Sequence, residues 1–118
     1  IEAVAASPRL DDELASILAR REARVRVALA GRPALAEPLI TQLATDDSPL
    51  VRRLVAARSD LSDALARGLA QDRDPEVRWA LAGNTRCPPG VLSGLLGDDN
   101  LGVAQRAQQL REVLDKSQ

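Results

Sequence analysis

The stretch DDSPLVRRLVAAR at 46–58 returns as DRDPEVRWALAGN at 72–84, a step of 26 residues. Val25, Val51, Val77 and Val103 stand in one column at that spacing. A second apolar column holds Val4, Leu29, Val55, Leu81 and Ala107, and a small-residue column holds Ala5, Ala30, Ala56 and Ala82. Past a short polar link come Leu10, Leu35, Leu61 and Cys87, then Leu14, Leu39, Leu65 and Val91, then Leu18, Leu43, Leu69 and Leu95. The step between the first two units is 25, a one-residue deletion near Arg21. Self-similarity at this period, kept over so many columns, is the mark of a stacked array of small units.

Each unit reads as two short helical segments. In the first, Val51, Leu54, Val55 and Arg58 follow the i, i+3, i+4, i+7 spacing of one helix face. Its start is marked by Ser48-Pro49 and Asp74-Pro75, a capping residue followed by a proline that needs no amide partner at the first helical position. Asn100 can cap the last such helix, whereas Glu22 is a poor cap. The second segment spans roughly 63–71 and 89–97, with Pro38, Pro88 and Pro89 near its starts; its length leaves α-helix and 3₁₀-helix both open. Composition agrees with helices: among the apolar residues Leu, Ala and Val dominate, Trp79 is the only aromatic and methionine is absent.

Helices this short do not persist alone in water, so each must bury its apolar columns against the next unit. The expected fold is all-α: a right-handed α-α superhelix of about four and a half 26-residue repeats in a single domain, 1–118, with units at about 1–20, 21–45, 46–71, 72–97 and 98–118. From Leu101 to Lys116 the chain puts Val103, Ala107, Leu110 and Leu114 on one face, which suits a longer capping helix. The pattern DxxPxVRxxVAxxxxLxxxxLxxLA resembles the leucine-rich repeat variant family over the whole chain, and is more distantly similar to HEAT repeats. The resemblance implies alternating α- and 3₁₀-helices wound to the right. Some members also carry a cysteine-ligated iron–sulfur domain, but Cys87 alone cannot supply the four thiolates such a cluster normally takes.

The charge balance, 16 basic against 17 acidic side chains, gives a formal net of −1 and lacks the basic excess usual for nucleic-acid modules. The lone cysteine precludes an intramolecular disulfide and points to a reducing, cytoplasmic setting. No apolar run is long enough to span a membrane. The chain starts at Ile1, inside a repeat, which suggests a piece of something longer.

Enzyme chemistry is not expected. Histidine is absent, which removes Ser-His and Cys-His nucleophile pairs and the commonest zinc ligand, and no glycine-rich phosphate loop occurs. Cofactors and metals are not expected either. Acid pairs such as Asp46-Asp47 and Asp98-Asp99 fall at turns, where helix starts favour them. Cys87 takes a leucine's place in a core column and reads as a small hydrophobe. Gly68 and Gly94 share a column and read as points of close packing.

The candidate contact surface is Val27, Arg53 and Trp79, flanked by Arg26, Arg52 and Arg78. Position 79 lies nearly opposite the inward Val77 and Leu81, and tryptophan and arginine dominate binding hot spots. Against this stands the reading that Trp79 folds over a neighbouring helix. The arginine column Arg26, Arg52, Arg78 has two readings as well: a ladder gripping phosphates or acidic peptides, or guanidiniums paired with loop carboxylates and carbonyls of their own or a neighbouring unit. The second is favoured by the near-neutral charge. The expected function is a non-enzymatic scaffold that binds another protein along one face of the solenoid. The alternatives are a HEAT-like nucleic-acid module and a regulatory repeat region of a larger protein.

Overall fold

The structure, a computed structural model, describes residues 22–117 together with Ile17. The columns at Val4, Ala5, Leu10, Leu14 and Leu18, and the unit expected at about 1–20, lie outside the described residues. Among the described residues there are seven α-helices and no strand: α1 Ala23–Ala30, α2 Glu37–Leu43, α3 Pro49–Ala56, α4 Asp63–Leu69, α5 Pro75–Ala82, α6 Pro89–Leu95 and α7 Leu101–Lys116. The molecule measures 41 × 29 × 21 Å along its principal axes.

The odd-numbered helices form one row, with α1 against α3, α3 against α5 and α5 against α7. Each even-numbered helix is held between the first helix of its own unit and that of the next. The valine column forms the spine of the row: Val25 is 2% exposed, and Val51, Val77 and Val103 are wholly buried. Leu29, Val55, Leu81 and Ala107 beside them are also fully buried, and Ala30, Ala56 and Ala82 let the helices approach closely.

Three local readings change. The second segments are α-helices of seven residues each, so the 3₁₀ alternative is not realised in α2, α4 or α6. Their shared inward column is Ile40, Ala66 and Leu92, one position beyond the expected Leu39, Leu65 and Val91, of which only Leu39 is buried. Ser48 precedes α3 but its side chain makes no cap bond, and Asp46 Oδ1 accepts from the Ser48 amide in that turn. By contrast Asp74 caps α5, Asn100 caps α7 and Ser62 caps α4, and Glu22 makes no cap bond.

The last helix is the expected long one. It buries Val103, Ala107 and Leu110, half-buries Leu114, and leaves Glu112, Asp115 and Lys116 in solvent. No helix among the described residues is long and apolar enough to cross a membrane.

Candidate functional site

The arginine column is a set of cross-links between units. Arg52 Nε and Nη2 donate to the two carboxylate oxygens of Asp72 at 2.8 and 3.2 Å, and its Nη1 donates to the Asp46 and Asp47 carbonyls at 2.7 and 3.1 Å. Arg78 repeats this on Asp98 at 2.7 and 3.1 Å and on the Asp72 carbonyl at 2.7 Å. Arg26 holds Asp46 through Nε at 2.6 Å and Nη2 at 3.3 Å. Each of these aspartates also accepts the amide two residues on, at Ser48, Asp74 and Asn100. A planar guanidinium gripping both oxygens is the strong form of this contact. Arg26, Arg52 and Arg78 therefore have their guanidiniums engaged by the next unit's turn instead of presenting them as flanks of a contact surface.

A second set of cross-links joins the C-terminal ends of neighbouring helices in the row. Arg58 Nη1 donates to the Ala30 and Arg32 carbonyls at 2.8 and 2.6 Å while Asp60 holds its Nε and Nη2. One repeat later Asn84 Nδ2 donates to the Ala56 and Arg58 carbonyls at 2.7 and 2.9 Å. These bonds satisfy carbonyls that a helix C-terminus would otherwise leave bare. The Arg58 hydrogen bond, aided by its charge, holds the Asp60 carboxyl below the usual range.

With both ends occupied, two kinds of surface remain. On the Arg–Asp side lie two equivalent grooves one repeat apart, of about 440 and 730 Å³, walled by Leu65 with Gly68 and by Val91 with Gly94. Arg52 and Arg78 in their walls are already paired with Asp72 and Asp98. A Cβ at Gly68 or Gly94 would meet nothing within 4 Å, so the expected close packing does not occur and these glycines simply face open space.

On the other surface a groove of about 550 Å³ is lined by Arg53, Leu54, Ala57, Trp79, Gly83 and Arg106. Trp79 is 44% exposed, consistent with its place opposite Val77 and Leu81. The remaining surface is covered, and Arg106 of the neighbouring α7 lies over its ring, with Cζ 3.4 Å from the ring centroid. Gly83 makes the room, since a Cβ there would collide with the Arg106 guanidinium. Arg53 joins the groove with its side chain 43% exposed and only a long contact, 3.9 Å, to Glu76. Val27, earlier in the same column, is half-buried against the core and is not part of this groove. The candidate set thus divides, Arg53 and Trp79 on one surface and the Arg26, Arg52, Arg78 ladder apart from it.

Arg106 was not among the expected site residues. Its signal lay in the register: the column reads Ala28, Leu54, Ala80 and then Arg106, a cation where the earlier units carry aliphatic groups. Its Nη1 is withdrawn from solvent without a hydrogen-bond acceptor, and burial pulls the guanidinium's ionisation downward. Cys87, 4% exposed, has its thiol pushed up to about 11 by burial. No group of three or more potential metal-binding side chains occurs among the described residues. No family model, curated protein or solved structure matches the chain.

Proposed function

We propose that this chain is a non-enzymatic helical-repeat scaffold that binds another protein through the surface carrying Arg53 and Trp79. The observation that carries this reading is an accessible tryptophan in a groove beside a loosely held arginine, on a molecule whose other large apolar side chains mostly form the spine. Tryptophan and arginine beside a well-packed floor are what hot spots are made of, and stacked repeats lend themselves to extended contact surfaces. The resemblance to leucine-rich repeat variant proteins, with a right-handed winding, belongs to the same proposal and rests on the column register. The nucleic-acid alternative draws no support from the arginine column, because each of those guanidiniums is shared with a carboxylate.

The test uses three baits in extracts of the source cell: the unaltered chain, a Trp79→Ala/Arg53→Glu double variant, and an Arg67→Glu variant on the opposite surface. Partners captured by the first and third but lost from the second are the expected outcome. Identical partner sets from all three overturn the surface assignment.

A further inference from the structure

Within that proposed interface, the geometry points to a seat for a carboxylate at Arg106, filled by an acidic side chain of a partner peptide whose neighbouring apolar residue lies against Trp79. This inference rests on the protein-binding reading and adds the chemistry of the partner to it.

Arg106 differs from the other semi-buried arginines of the described core. Arg52, Arg58 and Arg78 each grip a carboxylate with two nitrogens and place a third on main-chain carbonyls. Arg106 has the indole on one side and the Gly83 backbone beside it, and no carboxylate or carbonyl of the described residues accepts from it. A guanidinium carries five donors in a fixed fork, and withdrawing such a group from water without an acceptor is costly. Stacking on the indole returns only part of that. The position is preorganised as well: the ring and the missing Cβ fix the guanidinium plane before any ligand arrives, which lowers the cost of binding.

The surroundings select the kind of anion. Arg53 is the other arginine lining the groove, and Glu76 stands by it at 3.9 Å. Two cations with an acid at the rim suit a single carboxylate on a peptide. A phosphate backbone calls for a row of free cations, and the row that the register provides is spent on Asp46, Asp72 and Asp98.

Trp79 is the only aromatic residue of the chain, so the intrinsic fluorescence reports on the surroundings of this one side chain. Peptides are selected from a random display library on the full folded chain and synthesised with blocked ends and a fluorescein label. They are titrated against Trp79 emission and, for every variant including Trp79→Ala, against the anisotropy of the label. Inorganic phosphate and oligothymidine are titrated in parallel. The expected peptides carry an Asp or Glu beside an apolar residue. Their affinity falls about tenfold or more when that acid is replaced by its amide or when Arg106→Gln is introduced, the size expected for stripping one partner from a buried charged pair. Gly83→Ala keeps the charge but pushes the guanidinium off the indole, and is expected to weaken the same peptides. It guards against Arg106→Gln acting through misfolding, because the Gly83 backbone, at φ −99° and ψ 0°, accepts alanine. Peptides lost with Trp79→Ala but indifferent to Arg106→Gln and Gly83→Ala overturn the carboxylate seat and leave the protein-binding reading standing. A library that yields no binder sensitive to Trp79→Ala overturns both. Saturable quenching by phosphate or oligothymidine that needs Arg106 overturns the peptide in favour of a phosphate ligand.

Discussion

Cys87 and Arg106 each depart from their column, a thiol in place of leucine and a cation in place of aliphatic groups. Cys87 stands where Leu35 and Leu61 stand in earlier units, and its burial disfavours the thiolate, the form that reacts. Alkylation by iodoacetamide at pH 8 is therefore expected to be slow in the folded chain and to accelerate sharply at the unfolding midpoint in urea. Mass spectrometry across the transition checks this, and rapid labelling of the native protein would contradict it. Substituting a thiol for leucine was legible from the register because both fill apolar space. Arg106 was not read from the same register, although it too broke a column. What it does depends on Trp79 and Gly83, which lie on a different helix and meet it only once α5 and α7 stack. Trp79 was legible as outward-facing from the helical wheel, but the cation resting on it was not.

At the scale of an element, the first helices were easier to anticipate than the second. An eight-residue helix flanked by neighbours on both sides shows its inward face through Val51, Val55 and Ala56, repeated at 77, 81 and 82. A seven-residue helix makes fewer than two turns, so adjacent columns such as Leu39 and Ile40 compete to face inward. The tertiary contacts, not the spacing, settled on Ile40, Ala66 and Leu92 for the shared position. Gly68 and Gly94 read as close packing in the sequence for a related reason: their spacing carries no trace of the empty groove beside them. Their emptiness has a measurable result. Both sit inside helices with open space where a Cβ would go, so Gly68→Ala and Gly94→Ala are each expected to stabilise the fold by about 0.5–1 kcal/mol. Urea denaturation followed by circular dichroism checks this, with additivity expected in the double variant. A loss of stability would show that the grooves are filled in solution.

For the whole molecule, cohesion is divided between an apolar spine and the charged cross-links at its edges. The Asp98 carboxyl lies below the ordinary aspartate value: burial alone would raise it, but the Arg78 hydrogen bond, the Asn100 amide and the Arg78 charge together outweigh burial. A depressed carboxyl contributes stability that is present above its unfolded value, about 3.9, and lost as pH falls through the lower folded one. Unfolding free energy measured by urea titration is thus expected to drop on acidification below about pH 4, and Asp98→Asn is expected to flatten that limb. Asp98→Ala at neutral pH removes the bidentate acceptor of a half-buried Arg78, which keeps only the Asp72 carbonyl, at a cost of about 1–3 kcal/mol. A variant with unchanged acid sensitivity would place the pH dependence elsewhere. The Arg–Asp cross-links also impose a rule on how such a chain can lengthen. Each repeat from Asp46 and from Asp72 brings one acceptor for the repeat behind it and one donor, Arg52 or Arg78, for the repeat ahead. Ala104, the next position in the donor series, offers nothing forward. Duplication or loss of a whole 26-residue module would keep donors and acceptors in balance, whereas a truncation between an arginine and the aspartate twenty positions later would strand an ion in the interior. Growth by entire modules is thereby the electrostatically neutral path for this architecture.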